Sequence, residues 1–300
     1  MSKALVCSVF GLCFAELFFC SRGLQRHQPV QIDPLLQAVM PIEWVHVIKA
    51  GSSFVNTLIN IPGVCPGIDE DLAVTYKLFG GDRHHVLEHF MEQYNPSANC
   101  NAAALDTDPQ RLLHGSIDYR PGFDQGKGRF MMFMRQPEQR LLSQYTDDQR
   151  QYLFEDTDPK LELYKVQWSG ITTKMLARAD PWPEEAFQEP PSQFEMETAK
   201  TRLSTGFSFI GITEQWDLSL CLFNAMFNQP CRSIQFLNSH PTQKDSISTY
   251  DTTRLNGWRD PYDNELFDVA MEIFERNLKK YNVSETSCKP CWHEAGLSTH

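Results

Sequence analysis

The 300-residue chain has no Walker-type G-x-x-x-x-G-K-[ST] segment, no internal repeat, no low-complexity tract and no surplus of positive charge. The first absence removes the lysine position on which ATP-hydrolysing P-loops depend, and the next two set aside repeat architectures and disordered arrays. Lys and Arg number 27 against 38 Asp and Glu, a net charge of −11. That balance speaks against nucleic acid as a partner. It also repels a polyanionic acceptor on average, so either the basic residues gather around one cleft or the acceptor is weakly charged, and the second is the reading adopted. Long apolar runs are scarce too. The run at residues 4–20 is 17 residues long and is interrupted by Glu16, at the short edge of a spanning helix and beyond the usual core of a signal peptide. Lys3 before it and Arg22 and Arg26 after it leave its orientation balanced.

What is present describes a globular protein: 41% of residues are hydrophobic and 22% charged, with length enough for one large α/β domain. Four stretches are expected along the chain. Residues 1–20 form a signal anchor or signal peptide, 21–40 a polar stem with Pro29 and Pro34, 41–283 the main domain, and 284–300 a C-terminal tail. Within the domain, residues 156–193 read as a variable stretch whose prolines (Pro181, Pro183, Pro190, Pro191) mark loops of an acceptor cleft. Asp260 caps a helix with Pro261 in its first turn. Leu266, Val269, Ala270, Ile273, Phe274 and Leu278 then keep one apolar face at helical spacing.

Nine cysteines bear on compartment. Cys7, Cys13 and Cys20 sit in the apolar run as small hydrophobes, which leaves six beyond it, an even number suited to disulfides in an oxidising lumen. A bridge between Cys221 and Cys231 would join the end of one helix to the following loop. Cys288 and Cys291, with His293, make half a zinc site but no second ligand pair lies at suitable spacing, so no metal is expected. Asn282-Val-Ser284 is the single glycosylation sequon.

Two segments carry the chemistry. Residues 42–54, IEWVHVIKAGSSF, read as an apolar strand over 42–48, a turn, and a helix start. The turn joins a cation, Lys49, to Ala50, to a glycine that lets backbone approach closely, Gly51, and to two hydroxyls, Ser52 and Ser53, where free N–H groups attract anions. Residues 130–145, FMMFMRQPEQRLLSQY, repeat the plan: a strand ending at Met134, then Arg135, then Pro137 stiffening a helix on which Ser143 lies two turns along. Arg135 and Ser143 can reach one phosphate.

At these residues the chain resembles the Golgi carbohydrate sulfotransferases, especially the heparan sulfate 2-O- and 6-O-sulfotransferases and uronyl 2-O-sulfotransferase. Their first motif, Lys-[Thr/Ala]-[Gly/Ala]-[Ser/Thr]-[Ser/Thr] after an apolar strand, is matched by residues 49–53. Their second, Arg-Asp-Pro-x-x-Arg-x-x-Ser-x-Tyr, is matched by residues 135–145 except that Gln136 replaces Asp, at the expected cost of a capping or orienting carboxylate. A strand, turn and helix at residues 207–220 recurs in the same order in that family. The likeness spans roughly residues 42–281.

The resemblance implies a three-layer sandwich with a central parallel sheet, the P-loop-NTPase-like sulfotransferase fold. It implies 3′-phosphoadenosine-5′-phosphosulfate (PAPS) as sulfuryl donor, with Lys49, Ala50, Gly51, Ser52 and Ser53 at the 5′-phosphosulfate and Arg135 and Ser143 at the 3′-phosphate. It implies a carbohydrate hydroxyl as acceptor, no metal, and a single-pass type II Golgi membrane protein anchored through its N-terminal segment, the alternative being a secreted one. Sulfuryl transfer needs a base and a cation near the leaving phosphate. Lys49 is the cation. His114, in Leu112-Leu-His-Gly-Ser-Ile-Asp118, resembles the segment that carries the family's catalytic histidine; it stands ahead of His46, His84, His85 and His89, and Asp118 is the best carboxylate substitute. Two other classes stand beside this: a non-catalytic glycan-binding relative, and a nucleotide-dependent kinase, which would need the acidic Mg²⁺ pair that the sequence does not display.

Overall fold

The computed structural model describes residues 32–69, 71–75, 100–105, 122–178, 189–238 and 249–297. Four strands form one parallel sheet: β1 (Ile42–Val45), β2 (Ala102–Leu105), β3 (Phe130–Met134) and β4 (Phe207–Ile212), in the order β2-β1-β3-β4. The register aligns Trp44 with Met131 and Val45 with Met132, and then Met134 with Ile212. Every residue of β1 and β3 is buried. Successive side chains point to opposite faces, so burial of the whole run means that both faces of these strands are covered. The chain is therefore α/β around a parallel sheet.

The first strand ends three residues before its expected limit, at Val45 rather than Ile48, because the chain has left the sheet by then to enter a turn. β2 was not foreseen. It lies in a Pro-, Gly- and Asn-rich region where AAAL carries little strand signal, and the Cys65–Cys100 disulfide ties the residues just before it to the chain that follows β1.

Helices fill the connections: α1 (Pro34–Gln37), α2 (Phe54–Ile59), α3 (Phe123–Gly126), α4 (Pro137–Tyr152), α5 (Asp158–Gln167), α6 (Ile171–Ala177), α7 (Gln193–Gly206), α8 (Trp216–Phe227), α9 (Asp263–Lys280) and α10 (Glu285–Glu294). The stretch 156–193, read as variable, holds α5 and α6, with Pro190 and Pro191 between helices. Part of the expected stem also belongs to the folded body. Leu36 of α1 is fully buried, and Asp33, which caps α1, accepts a hydrogen bond from Asn228 Nδ2 at 2.8 Å. α9 buries Leu266, Ala270, Ile273 and Phe274, with Val269 and Leu278 packed partly against the same core, as its spacing requires.

The expected tail is a helix pinned by two disulfides. Cys288 and Cys291 stand one turn apart on α10 and so share a face. They bond Cys221 of α8 and Cys231 in the loop beyond it. This overturns the bridge between Cys221 and Cys231 and removes both α10 thiols from any zinc site. Between the two bridges Asn224 and Gln235 exchange amide hydrogen bonds, both at 2.9 Å. All six cysteines beyond residue 20 are paired. Asn282 of the sequon is exposed, just past the end of α9. The apolar run at residues 4–20 lies outside the described residues, among which no helix is long and apolar enough to cross a membrane.

Native protein should therefore show no alkylation at these six cysteines before reduction. Cys288→Ser should lower the free energy of unfolding by about 2–4 kcal/mol in a denaturant titration, since the lost bridge closes a loop of 67 residues. Ready labelling of Cys221 in the unmutated native protein would contradict the pairing.

Candidate functional site

Strand order fixes the place to look. The chain passes from β1 outward to β2 and then returns to the other side of β1 as β3, so the connections diverge between β1 and β3. Crevices of open parallel sheets form at the carboxyl ends of strands where that reversal occurs. The 49–53 loop leaves β1 at this end and Arg135 leaves β3 beside it.

Two backbone conformations shape the loop. Lys49 has φ +62° and Gly51 φ +83°, both in the left-handed region, with Ala50 N–H closing a turn on the Val47 carbonyl at 3.0 Å. At Gly51 even a methyl group would meet Phe133 Cβ at 2.8 Å and Trp216 Cζ3 at 3.0 Å. Glycine is thus required twice, for its φ and for contact with β3 and α8. Trp216 and Phe133 pack with ring centroids 4.4 Å apart, making the floor under the loop. On the loop's strand side His46, 6% exposed, lies 2.9 Å through Nε2 from the Ser52 hydroxyl.

Arg135 is more than a terminal cation. Its Nη1 donates to the Lys49 carbonyl at 3.3 Å, its Nε lies 3.7 Å from Glu214 Oε1, and its guanidinium sits 5.5 Å from the centre of the Tyr250 ring. Burial lowers its pKa, against the pull of Glu214; burial likewise raises that of Glu214. Glu214 Oε1 also accepts from Gln136 N at 3.1 Å. The cap is not lost at Gln136: its side-chain oxygen accepts from Gln139 N at 2.9 Å, the amide doing what a carboxylate would.

α4 then lays a polar stripe along the site. Gln139, Ser143 and Asp147 follow at four-residue spacing. Gln139 holds the Tyr250 backbone from both sides, donating to its carbonyl at 2.9 Å and accepting from its N–H at 2.6 Å. Ser143 Oγ lies 3.5 Å from the Tyr250 hydroxyl, and Asp147 takes the Lys49 ammonium. Of the expected binding residues, Lys49, Ala50, Gly51, Ser52, Ser53, Arg135 and Ser143 all lie on the two segments that converge here. His114 and Asp118, with His84, His85 and His89, lie outside the described residues. Asp147, Glu214, Trp216 and Tyr250 escaped the sequence reading. Glu214 and Trp216 stand in the recurring 207–220 segment, which was a usable signal; nothing local marks Tyr250.

No family model, curated protein or solved structure matches this chain.

Chemically, the arrangement offers one ammonium and one guanidinium on adjoining segments, each already matched by a carboxylate that is partly open to solvent: Asp147 is 48% and Glu214 32% exposed. An incoming anion can take over such partners without stranding a buried charge. Gly51→Ala should cost about 1–3 kcal/mol of stability, from overpacking and left-handed strain together. A thermal or denaturant comparison checks this, and an unchanged midpoint would show that the loop can move off Phe133.

Proposed function

We propose that the protein is a PAPS-dependent sulfotransferase acting on a carbohydrate hydroxyl in the Golgi lumen, with the sulfotransferase variant of the three-layer α/β fold and an N-terminal membrane anchor of type II orientation. The observation that carries the proposal is the convergence of the 49–53 loop with Arg135 and the Ser143 face of α4 at the β1/β3 reversal. The six paired cysteines agree with a luminal setting.

The donor's chemistry suits this set of residues. Gly51, whose positive φ turns the loop and whose missing side chain lets it sit on Phe133 and Trp216, holds the loop backbone in place, while Lys49 supplies a point charge and Ser52 and Ser53 supply hydroxyls. Arg135 and Ser143, grouped around Tyr250, suit a second phosphate. When bound, PAPS supplies the sulfuryl group and a good leaving phosphate. The chain's own part is to hold both phosphates, to place Lys49 where negative charge grows, and to present a base, assigned to His114, to the acceptor hydroxyl.

Two expectations test this. Ser143→Ala should weaken binding of 3′-phosphoadenosine-5′-phosphate by ~10- to 150-fold, the loss of one charge-assisted hydrogen bond, while barely affecting the analogue without a 3′-phosphate. Calorimetric titration of both ligands decides it, and equal losses would sink the assignment. Ser143 is a cleaner probe than Arg135, whose removal also frees the Lys49 carbonyl. In turnover assays His114→Ala should fall ~10²- to 10⁴-fold at nearly unchanged PAPS affinity, whereas Lys49→Ala should impair both. Normal turnover in folded His114→Ala would move the base to Asp118. Tight nucleotide binding without transfer to any of a panel of glycan acceptors would favour the non-catalytic relative.

A further inference from the structure

Ser52 has a hydroxyl that can face an anion in only one useful way, with its proton outward. What sets that direction is its partner. His46 is 6% exposed, its ring lies 4.8 Å from that of Trp44, and its Nε2 is 2.9 Å from Ser52 Oγ. A hydroxyl next to an imidazole nitrogen has two states. If Nε2 is bare, the Ser52 proton points at it and only oxygen lone pairs face the loop's ligand. If Nε2 carries a proton and donates, Ser52 Oγ accepts, and its own proton is left for the ligand.

We propose that His46 is a positioning residue for the anion bound by the 49–53 loop: its Nε2–H donates to Ser52 Oγ and thereby turns the Ser52 hydroxyl proton onto the ligand. This rests on the reading of the loop as a nucleotide-phosphate site. It gives a purpose to a polar ring nine-tenths buried just past the end of β1, where Val45 and Val47 flank it. The ring's place is fixed on both sides. It continues β1, whose register is locked to β3 through Val45 and Met132, and its partner Ser52 follows Gly51, which is held against Phe133. Both backbones are therefore anchored beside the sheet, and the two side chains meet at hydrogen-bond distance.

The experiment is a mutant cycle on the full chain with 3′-phosphoadenosine-5′-phosphate as probe. Ser52→Ala and His46→Phe should each weaken binding by ~10-fold or more, and the double variant should bind no worse than Ser52→Ala alone, since His46 acts only through that hydroxyl. His46→Gln, which keeps an N–H donor at similar reach, should recover most of the affinity. Multiplying losses in the double variant, or an undiminished His46→Phe, would overturn the role of His46. Because His46→Phe can fail to fold, a second measurement uses the unmutated protein: ¹⁵N spectra of the histidine ring in the nucleotide complex should show a protonated Nε2, and a bare Nε2 there would overturn the proposal outright. Absence of binding by the unmutated protein would instead overturn the nucleotide reading itself, so the two failures are distinct.

Discussion

Parallel pairing of β1 with β3 is the contact on which the site depends. Residues at the ends of two adjacent parallel strands emerge on the same side of the sheet, however far apart they stand in sequence. With Val45 opposite Met132, the loop after β1 and the helix after β3 start next to each other, and Arg135 can donate to the Lys49 carbonyl. Because both faces of these strands are covered, a slip of one residue would exchange side chains of different size between two packed layers, so close packing rather than an apolar–polar alternation fixes the register.

Rotation of α4 is the second requirement, and buried charge sets it. One turn-to-turn stripe, Gln139, Ser143 and Asp147, faces the site; the neighbouring one, Arg140, Gln144 and Asp148, is buried. Arg140 is 1% exposed and donates to the Trp168 carbonyl at 2.7 Å; burial lowers its pKa, against the pull of the Asp263, Asp260 and Glu138 carboxylates. Lys174, fully buried in the same region, is lowered to about 8 by burial, and Asp260 is pushed up to about 6 by burial and by Asp263 beside it. Those two acids also bind the start of α6. Asp260 accepts from Gly170 N at 2.9 Å and Asp263 from Thr172 N and Thr173 N at 3.0 and 2.9 Å. Removing one member would strand charge in the interior, at a cost of several kcal/mol, so the network holds α4, α6 and α9 in one relative setting even if its net contribution to stability is small.

A larger share of the elements than of their partnerships was legible in the sequence. β3 is a continuous apolar run, and Pro137 and the spacing of α9 announce their helices in local chemistry. Arg140 stands in the matched motif, yet its side chain is buried, its charge offset by Asp263, Asp260 and Glu138. Its burial could not be foreseen because the Asp pair lies more than a hundred residues on and becomes a partner only when α9 packs. Cysteine pairing failed for the same reason. Cys231 is near Cys221 in the chain, but the thiols that meet them belong to α10, brought across α8 by folding.

From residue types and their order alone come an α/β chain with two strand-to-helix turns rich in anion-binding groups, a glycine where backbone must come close, and an even set of cysteines outside its apolar run. Those follow from residue type and short-range spacing, where the physics is local. Tertiary structure alone decided that Asp147 meets Lys49, that Glu214 and Tyr250 flank Arg135, that His46 addresses Ser52, and that the last helix is bolted to α8. Most of these contacts are between residues distant in sequence. Such contacts are set by strand order and helix packing, which a local pattern of apolar and polar residues does not encode.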